Sequence, residues 1–209
     1  MLSVIYAIVI LVATTLGSFV GLGGGVIIKP ILDFIGEEPR MQVDFLSSVA
    51  VFTMSVVSTG KQKKNKVSFK KNIIIFLAAG SIAGGYLGKY CIDLLGNHFE
   101  QENIRCIQAF TLALLILAVC VYVNRENALF HIKNPIAMCA VGLSLGFIAS
   151  FLGIGGGPIN VAVLTLFFSM NVKESAIYSV AIIFFSQLSK LITIFASDGI
   201  AEYSHQWQT

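Results

Sequence analysis

The sequence predicts an all-α integral membrane protein with about six transmembrane helices in two parallel repeats. Three observations lead to this prediction: a hydrophobic content of 56% with only 12% charged residues, six long apolar runs, and a glycine motif that occurs twice. With 14 basic and 11 acidic side chains, the chain of 209 residues has too few charges to cover a soluble domain. The apolar runs are continuous rather than alternating, which favours helices. Within lipid a helix can pair all its backbone N–H and C=O groups internally.

Six apolar segments, separated by polar residues, lie at about 3–35, 45–60, 73–92, 104–123, 135–168 and 175–198. A helix needs about 20 residues to cross a hydrocarbon core of about 30 Å. The first and fifth segments are much longer than this, and each carries a glycine cluster near its middle. Glycine is unfavourable inside a helix and permits positive φ, so we expect both spans to be broken at these clusters.

The two glycine clusters belong to an internal repeat. SFVGLGGGVIIKPIL at 18–32 aligns without gaps to SFLGIGGGPINVAVL at 150–164, and Ser48 aligns with Ser179 after a one-residue gap. We predict a first four-span repeat over 1–123, a cytoplasmic linker over 124–134 and a second repeat over 135–209. Counting four crossings between the copies makes the repeats parallel, related by an axis along the membrane normal.

The second repeat contains only two of the expected four spans, so we expect it to be incomplete. The sequence leaves two explanations open. Either the chain is a truncated form of a longer protein, or it completes itself by assembly, for example as a homo-oligomer.

The distribution of lysines predicts the orientation. The loop KQKKNKVSFKK at 61–71 carries six of the fourteen basic residues, and the positive-inside rule places it in the cytoplasm. The acidic loop at 93–103 is then extracytoplasmic. The charges agree with a single crossing of every segment, so we predict a cytoplasmic N-terminus. We therefore predict a multi-pass protein of the cell membrane, either the inner or the plasma membrane.

The glycine clusters are candidate anion-binding sites, because three consecutive glycines cover every face of a helix. A helix that breaks near the bilayer midplane exposes the N-terminus of a half-helix, whose N–H groups and dipole attract an anion. A plain packing kink is the alternative. The candidate residues are Gly23, Gly24 and Gly25 in the first cluster and Gly155, Gly156 and Gly157 in the second.

Polar residues within the apolar segments are further candidates for binding substrate. Lys190 lies deep in the sixth segment, where an ionisable side chain is costly and therefore usually functional. Lys29 lies nearer the end of its span and has snorkelling to the surface as an alternative. Asn160 follows the second glycine cluster and has an interhelical hydrogen bond as an alternative. The aligned serines Ser48 and Ser179 complete the candidate set.

Other glycines fit a purely structural role. Gly80, Gly84 and Gly88 are spaced four apart in the third segment, the pattern that lets two helices pack closely in a membrane. We therefore predict a packing face for these three glycines and no part in binding.

Enzymatic motifs are absent from the sequence. There is no G-x-x-x-x-G-K-[ST] phosphate loop, no H-E-x-x-H, no G-x-S-x-G and no clustered metal ligands. We predict that the chain is not an enzyme, needs no cofactor and binds no nucleic acid. Its expected partners are a small anion and the lipid bilayer.

GLGGGVIIKPIL and GIGGGPINVAVL resemble the duplicated motif of the sulfite exporter (TauE/SafE) family of membrane transporters. NKVSF at 65–69, the glycine pattern at 80–88 and SKLIT at 189–193 support this resemblance. It implies a multi-pass transporter of sulfite or organosulfonate anions, driven by an ion gradient. It also implies a second repeat as long as the first. A passive anion channel and a non-transporting membrane subunit or fragment are the alternatives.

The predicted orientation can be tested by labelling single cysteines, in a chain without its native cysteines, with a membrane-impermeant thiol reagent. In intact cells a cysteine within 93–103 should react, because the acidic loop is expected outside. A cysteine at position 64 should react only after the membrane is permeabilised. Reaction of position 64 in intact cells would show that the orientation is reversed.

Overall fold

Helices account for all the regular structure in the computed structural model, which describes residues 2–20, 23–35, 40–64, 71–123, 132 and 134–196. The eight helices of this part are α1 Leu2–Val20, α2 Gly25–Ile35, α3 Arg40–Lys64, α4 Lys71–Gly96, α5 Gln101–Val123, α6 Pro135–Leu152, α7 Gly157–Phe168 and α8 Val172–Ala196. The prediction of an all-α fold is confirmed. NKVSF and most of the linker predicted at 124–134 lie outside the described residues.

Five of these helices, α3, α4, α5, α6 and α8, are long and apolar enough to cross a membrane. The predicted count of six spans stays a prediction. Large apolar side chains point away from the bundle on α1 and α5, where Leu11, Phe110 and Leu117 are 67%, 70% and 65% exposed. An outer surface of this kind suits lipid better than water.

Local sequence explains where several helices begin and end. The side chain of Asn134 accepts a hydrogen bond from the N–H of Ile136 (3.0 Å) at the start of α6, and Pro135 occupies the first turn. Asn171 accepts one from the N–H of Glu174 (2.8 Å) at the start of α8. Gly153 ends α6 with a left-handed φ of 68°.

The fifth apolar segment folds back on itself at its glycine cluster. The N–H of Ile132, just before α6, donates to the carbonyl oxygen of Phe167, near the end of α7, at 3.0 Å. If the segment were one straight crossing, these residues would lie about 50 Å apart. Helices α6 and α7 therefore form a hairpin in which the shorter α7 returns toward the start of α6.

The first apolar segment makes the same reversal. The backbone of Gly24 packs directly on Ala13 and Thr14 of α1, and Gly17 packs on Gly24. In a chain that continued straight on, Ala13 and Gly24 would lie about 16 Å apart. The breaks predicted at both glycine clusters are confirmed. The prediction that each long segment crosses only once is wrong, because each one is a full-length helix followed by a shorter returning helix.

The reversals change the relation between the repeats. The rings of Phe45 and Phe195 lie 6.4 Å apart, and those of Phe52 and Phe184 lie 5.5 Å apart, so α3 and α8 run antiparallel. These helices carry the aligned serines at 48 and 179 and are therefore equivalent. The prediction of parallel repeats is wrong: three crossings, α3 to α5, separate the copies, so the copies are inverted. Inverted repeats are related by an axis in the membrane plane.

Helix α3 ends at Lys64 and α4 begins at Lys71. We call this end of the bundle the lysine end, and the opposite end the distal end. Helix α2 runs against α3, because Gly23 contacts Val51 whereas Lys29 pairs with Asp44. Since α1 runs against α2, it begins at the distal end. A cytoplasmic N-terminus is thus incompatible with cytoplasmic lysines. We keep the orientation of the lysines, because it rests on six charges rather than on an assumed single crossing.

Helices α4 and α6 pack side by side through glycines. A Cβ on any of three α4 glycines would overlap the α6 backbone, namely Gly80 at Cys139, Gly84 at Leu143 and Gly88 at Phe147. Both residue series rise together, so the two helices run parallel. The predicted packing role of these glycines is confirmed, because only a residue without a side chain allows backbones to approach so closely.

The substitution Gly84→Ala should destabilise the bundle, because its methyl group would overlap the carbonyl of Leu143. Overpacking of this kind costs about 1–3 kcal/mol. The control Gly60→Ala, on α3, has no neighbouring atom within 4 Å of the added methyl group and should be neutral or slightly stabilising. Thermal unfolding in detergent, followed by circular dichroism, measures both. Equal unfolding temperatures would contradict this account of the α4–α6 contact.

Candidate functional site

The two glycine turns meet in the interior of the bundle. Gly25, the first residue of α2, lies against the carbonyl group of Ile154 in the other turn. Gly23 and Gly155 both lie against the side chains of Val51 and Ile183. These two side chains lie near the middle of α3 and α8, so the turns are about halfway along the two helices. If α3 and α8 cross the bilayer, the turns are near its midplane.

Backbone conformation explains why these positions are glycine. The φ angles are 80° at Gly23, 66° at Gly24, 77° at Gly155 and 72° at Gly156. Side chains rarely tolerate this left-handed region, whereas glycine adopts it freely. The matching angles show that the aligned clusters form the same kind of turn, and in each copy the turn delivers the chain to the start of a short helix.

Helices α2 and α7 both begin at the place where the two glycine turns meet. No side chain caps α7, and Pro158 in its first turn has no N–H. The first N–H groups of a helix have no partner within it, and each N-terminus carries about half a positive elementary charge. Two such ends beginning at one place create a positive potential in an interior that contains few charges.

Asn160 lies in the first turns of α7 and is completely buried. Within the part of the chain that the structure describes, neither its Oδ1 nor its Nδ2 has a hydrogen-bond partner. Its Oδ1 lies alongside Gly156 in the turn. A buried amide with no partner costs free energy. The structure therefore offers Asn160 as a ready donor and acceptor beside the α7 N-terminus.

The two predicted serines have different surroundings. The hydroxyl of Ser179 donates to the carbonyl oxygen of Gly157 at 3.3 Å and so touches the second turn. The hydroxyl of Ser48 donates to Asp44 within its own helix, at 2.6 Å. The neighbouring Ser47, which the sequence did not single out, donates to the carbonyl oxygen of Gly153 at 3.1 Å.

Lys190 lies inside the bundle, with 2% of its surface exposed. It shares a face of α8 with Ile183 and Gln187, because residues spaced four and seven apart align on a helix. Lys190 is about 10 Å beyond Ile183 toward the distal end. Gln187 is fully buried, and neither polar atom of its side chain has a partner among the described residues. Sequence reasoning missed Gln187, although a lone amide in an apolar span is a usable signal.

Lys29 is also buried, but it is already paired. Its Nζ lies 2.5 Å from Oδ1 of Asp44 and donates to Oε1 of Gln108 and to the carbonyl oxygen of Leu152, each at 2.7 Å. The structure therefore brings Lys29 to the C-terminus of α6 and not to the N-termini of the short helices. Sequence reasoning did not single out Asp44, which lies in the first turns of α3, or Gln108 in α5.

Two hollows approach the turns from opposite ends. A cavity of about 470 Å³ between α2 and α5 is lined by Lys29, Arg105 and Gln108 and lies in the distal half. A groove of about 740 Å³ between α1 and α3 extends from Ala50 to Gln62, in the half nearer the lysines. All the described glycines of both clusters are buried between them. Among the described residues, no group of His, Cys, Asp or Glu is arranged to hold a metal ion.

A helical bundle with an apolar exterior and paired helix breaks in its interior defines a polytopic membrane protein of the transporter class. The chain belongs to the sulfite exporter TauE/SafE family, whose family model matches residues 6–207. The predicted family is thereby confirmed. Members of the family and the relatives below are named as transporters rather than as enzymes.

Several curated relatives are similar over most of the chain. The probable membrane transporter protein YunE of Bacillus subtilis is 28% identical over 208 residues, which cover 89% of this chain and 76% of the relative. A probable membrane transporter protein of Methanocaldococcus jannaschii is 26% identical, covering 85% and 67%. The probable membrane transporter protein YjnA of Bacillus subtilis is 25% identical, covering 79% and 70%. No solved structure matches the chain.

The substitution Asn160→Leu should stabilise the protein, because it removes two buried polar atoms that have no partner among the residues the structure describes. The gain should be about 1–3 kcal/mol, seen as a higher unfolding temperature in detergent. Asn134→Ala is the control, since that asparagine caps α6 and its loss should cost about 1 kcal/mol. A marked loss of stability in Asn160→Leu would show that the amide serves the fold and not a ligand.

Proposed function

We propose that this protein is a secondary transporter that moves a small anion, sulfite or an organosulfonate, across the cell membrane and is driven by an ion gradient. The observation that carries the proposal is the meeting of the α2 and α7 N-termini near the middle of α3 and α8. Two positive helix ends at one place favour an anion between them. The choice of sulfite or a sulfonate follows from the family and from the number of donors at the site.

An anion with three oxygens matches this group of donors. In the first turn of α2 the N–H groups of Gly25 and Ile27 already donate to the carbonyl oxygens of Gly23 and Gly24, which leaves the N–H of Val26 for an anion. The first turn of α7 offers the N–H groups of Gly157 and Ile159, and Nδ2 of Asn160 adds a donor beside them. Gln187 and Lys190 extend the polar surface along α8 toward the distal end. A desolvated anion would thus exchange its water shell for amide donors and one ammonium group. Lys29 has no part in this set, because three oxygens already surround its ammonium.

The position of the two hollows supports transport by alternating access. One hollow lies in the distal half and the other in the half nearer the lysines, while the glycine turns between them are buried. An anion at the turns must therefore be released by movement of helices and not through a standing pore. This arrangement favours a transporter over a passive channel. Under the proposal, the lysine end faces the cytoplasm, and the start of α1 lies on the opposite side.

The test is flux into proteoliposomes that contain the purified full-length protein. Radiolabelled sulfite or methanesulfonate is supplied with an imposed proton gradient, a sodium gradient or no gradient. Accumulation above the outside concentration under one gradient supports the proposal. Equilibration without accumulation under every gradient would indicate a channel. Uptake no greater than in protein-free vesicles would contradict transport of these anions.

In the same assay, Lys190→Gln should lower the rate of flux at least tenfold, and Lys190→Arg should retain part of it. The reason is that an ionisable side chain deep in an apolar span is usually functional, and a cation beside the proposed site would attract an anion. Lys89→Gln is the control, since Lys89 pairs with Asp93 near the distal end of α4. Wild-type flux in Lys190→Gln, with normal membrane insertion, would show that the lysine serves only the fold.

A further inference from the structure

We propose that the ammonium group of Lys29 fills a monovalent-cation site formed by Asp44, Gln108 and the C-terminus of α6. The lysine acts as a tethered cation in a site that would otherwise bind a free ion such as Na⁺. This inference concerns the α6 C-terminus alone and does not depend on the proposed transport of anions.

Three oxygens of different kinds surround the ammonium. They are the Oδ1 of Asp44 at 2.5 Å, the Oε1 of Gln108 at 2.7 Å and the carbonyl oxygen of Leu152 at 2.7 Å. An ammonium group has three N–H donors, so each oxygen takes one. A carboxylate, an amide and a main-chain carbonyl are also the hard oxygen ligands that alkali and alkaline-earth cations prefer. The same three oxygens can therefore bind either an ammonium group or a free monovalent cation such as Na⁺.

Neighbouring groups hold the oxygens in place before any cation is considered. Nε2 of Gln108 donates to the carbonyl oxygen of Phe151 at 2.6 Å, which turns its Oε1 toward Lys29. The hydroxyl of Ser47 donates to the carbonyl oxygen of Gly153 at 3.1 Å. Position 153 favours glycine for two reasons. A Cβ there would collide with the side chains of Asp44 and Lys29, and the left-handed φ of 68° would be strained in any other residue. The oxygens thus belong to a built cradle and not to a chance contact.

Burial and helix polarity give this cradle a negative potential. Lys29, Gln108 and Asp44 are 3%, 2% and 8% exposed. The last carbonyls of α6 add the negative end of its dipole to the charge of Asp44. Arg105 and Asp33, which line the same cavity, form an ion pair with each other at 3.4 Å, so together they add no net charge beside the cradle. In membrane transporters, carbonyls at the ends of broken helices are a common source of cation ligands.

The inverted second copy lacks this site. The residue aligned with Lys29 is Val161, and the residue aligned with Asp44 is Ser175, whose hydroxyl bonds to that of Thr165 at 2.9 Å. The duplication therefore does not require a lysine–aspartate pair at this position. The pair is present only in the first copy, where Lys29 reaches the carbonyl oxygen of Leu152 at the end of α6.

The test replaces the tethered cation with a free one. The full-length protein, the variant Lys29→Ala and the double variant Lys29→Ala/Asp44→Asn are purified in detergent. Thermal unfolding is then followed by circular dichroism at equal ionic strength in NaCl, methylammonium chloride or choline chloride. Choline is the reference cation because its quaternary ammonium has no N–H to donate, and its methyl groups keep the charge away from the three oxygens.

The wild-type protein should unfold at the same temperature in all three salts, because Lys29 keeps the site full. Lys29→Ala should be less stable in choline chloride and should recover by several degrees, on the order of 5 °C, in saturating NaCl or methylammonium chloride. The double variant should show no such recovery, since the carboxylate that attracts the cation is gone. Lys89→Ala, which breaks the partly exposed pair with Asp93, should also respond equally to the three salts.

An unfolding temperature of Lys29→Ala that is the same in all three salts would overturn the proposal. So would failure to recover folded Lys29→Ala in any of them, because a cation site would be filled at these concentrations. Recovery of folded Lys29→Ala in NaCl or methylammonium chloride, but not in choline chloride, supports it.

Discussion

A helix broken inside a membrane leaves backbone groups that lipid cannot satisfy, and this constraint governs the arrangement around the second glycine turn, between α6 and α7. At the end of α6, Lys29 binds the carbonyl of Leu152, Gln108 binds that of Phe151, and Ser47 binds that of Gly153. At the start of α7, Ser179 binds the carbonyl of Gly157. These donors come from α2, α5, α3 and α8. Satisfying the break at the second glycine turn therefore ties these four helices to the α6–α7 hairpin.

The protein treats the two kinds of broken end differently. Carbonyl groups at the end of α6 receive an ammonium group and an amide from the protein itself. The N-terminus of α7 has no side-chain cap, and the amide of Asn160 beside it has no partner among the described residues. The carbonyl end of α6 is thus neutralised by side chains of the protein, while the positive end of α7 is the one that the proposed function assigns to a solute. This difference in polarity explains how a buried lysine and a proposed anion site can lie close together without competing.

Glycine has two separate uses in this structure. In the turns it provides left-handed backbone conformations, as at Gly23 and Gly155. Along α4 it removes side chains so that α6 can lie against the backbone, as at Gly84. The second use joins α4 and α6 tightly, and the hydroxyl of Ser189 on α8 bonds to the carbonyl of Ile82 on α4 (2.8 Å).

The sequence by itself determined that the chain is helical, where both long segments break, which glycines pack and which family the chain belongs to. These features depend on local properties: hydrophobicity, the φ range of glycine, and helical spacing. Only the tertiary structure decided that the chain reverses at each turn, that the repeats are therefore inverted, and that Lys29 pairs with Asp44 and Gln108. Glycine fixes where a helix stops but not the direction in which the next one leaves. A buried lysine requires oxygens, but Gln108 is 79 residues away along the chain, and packing alone brings it within reach.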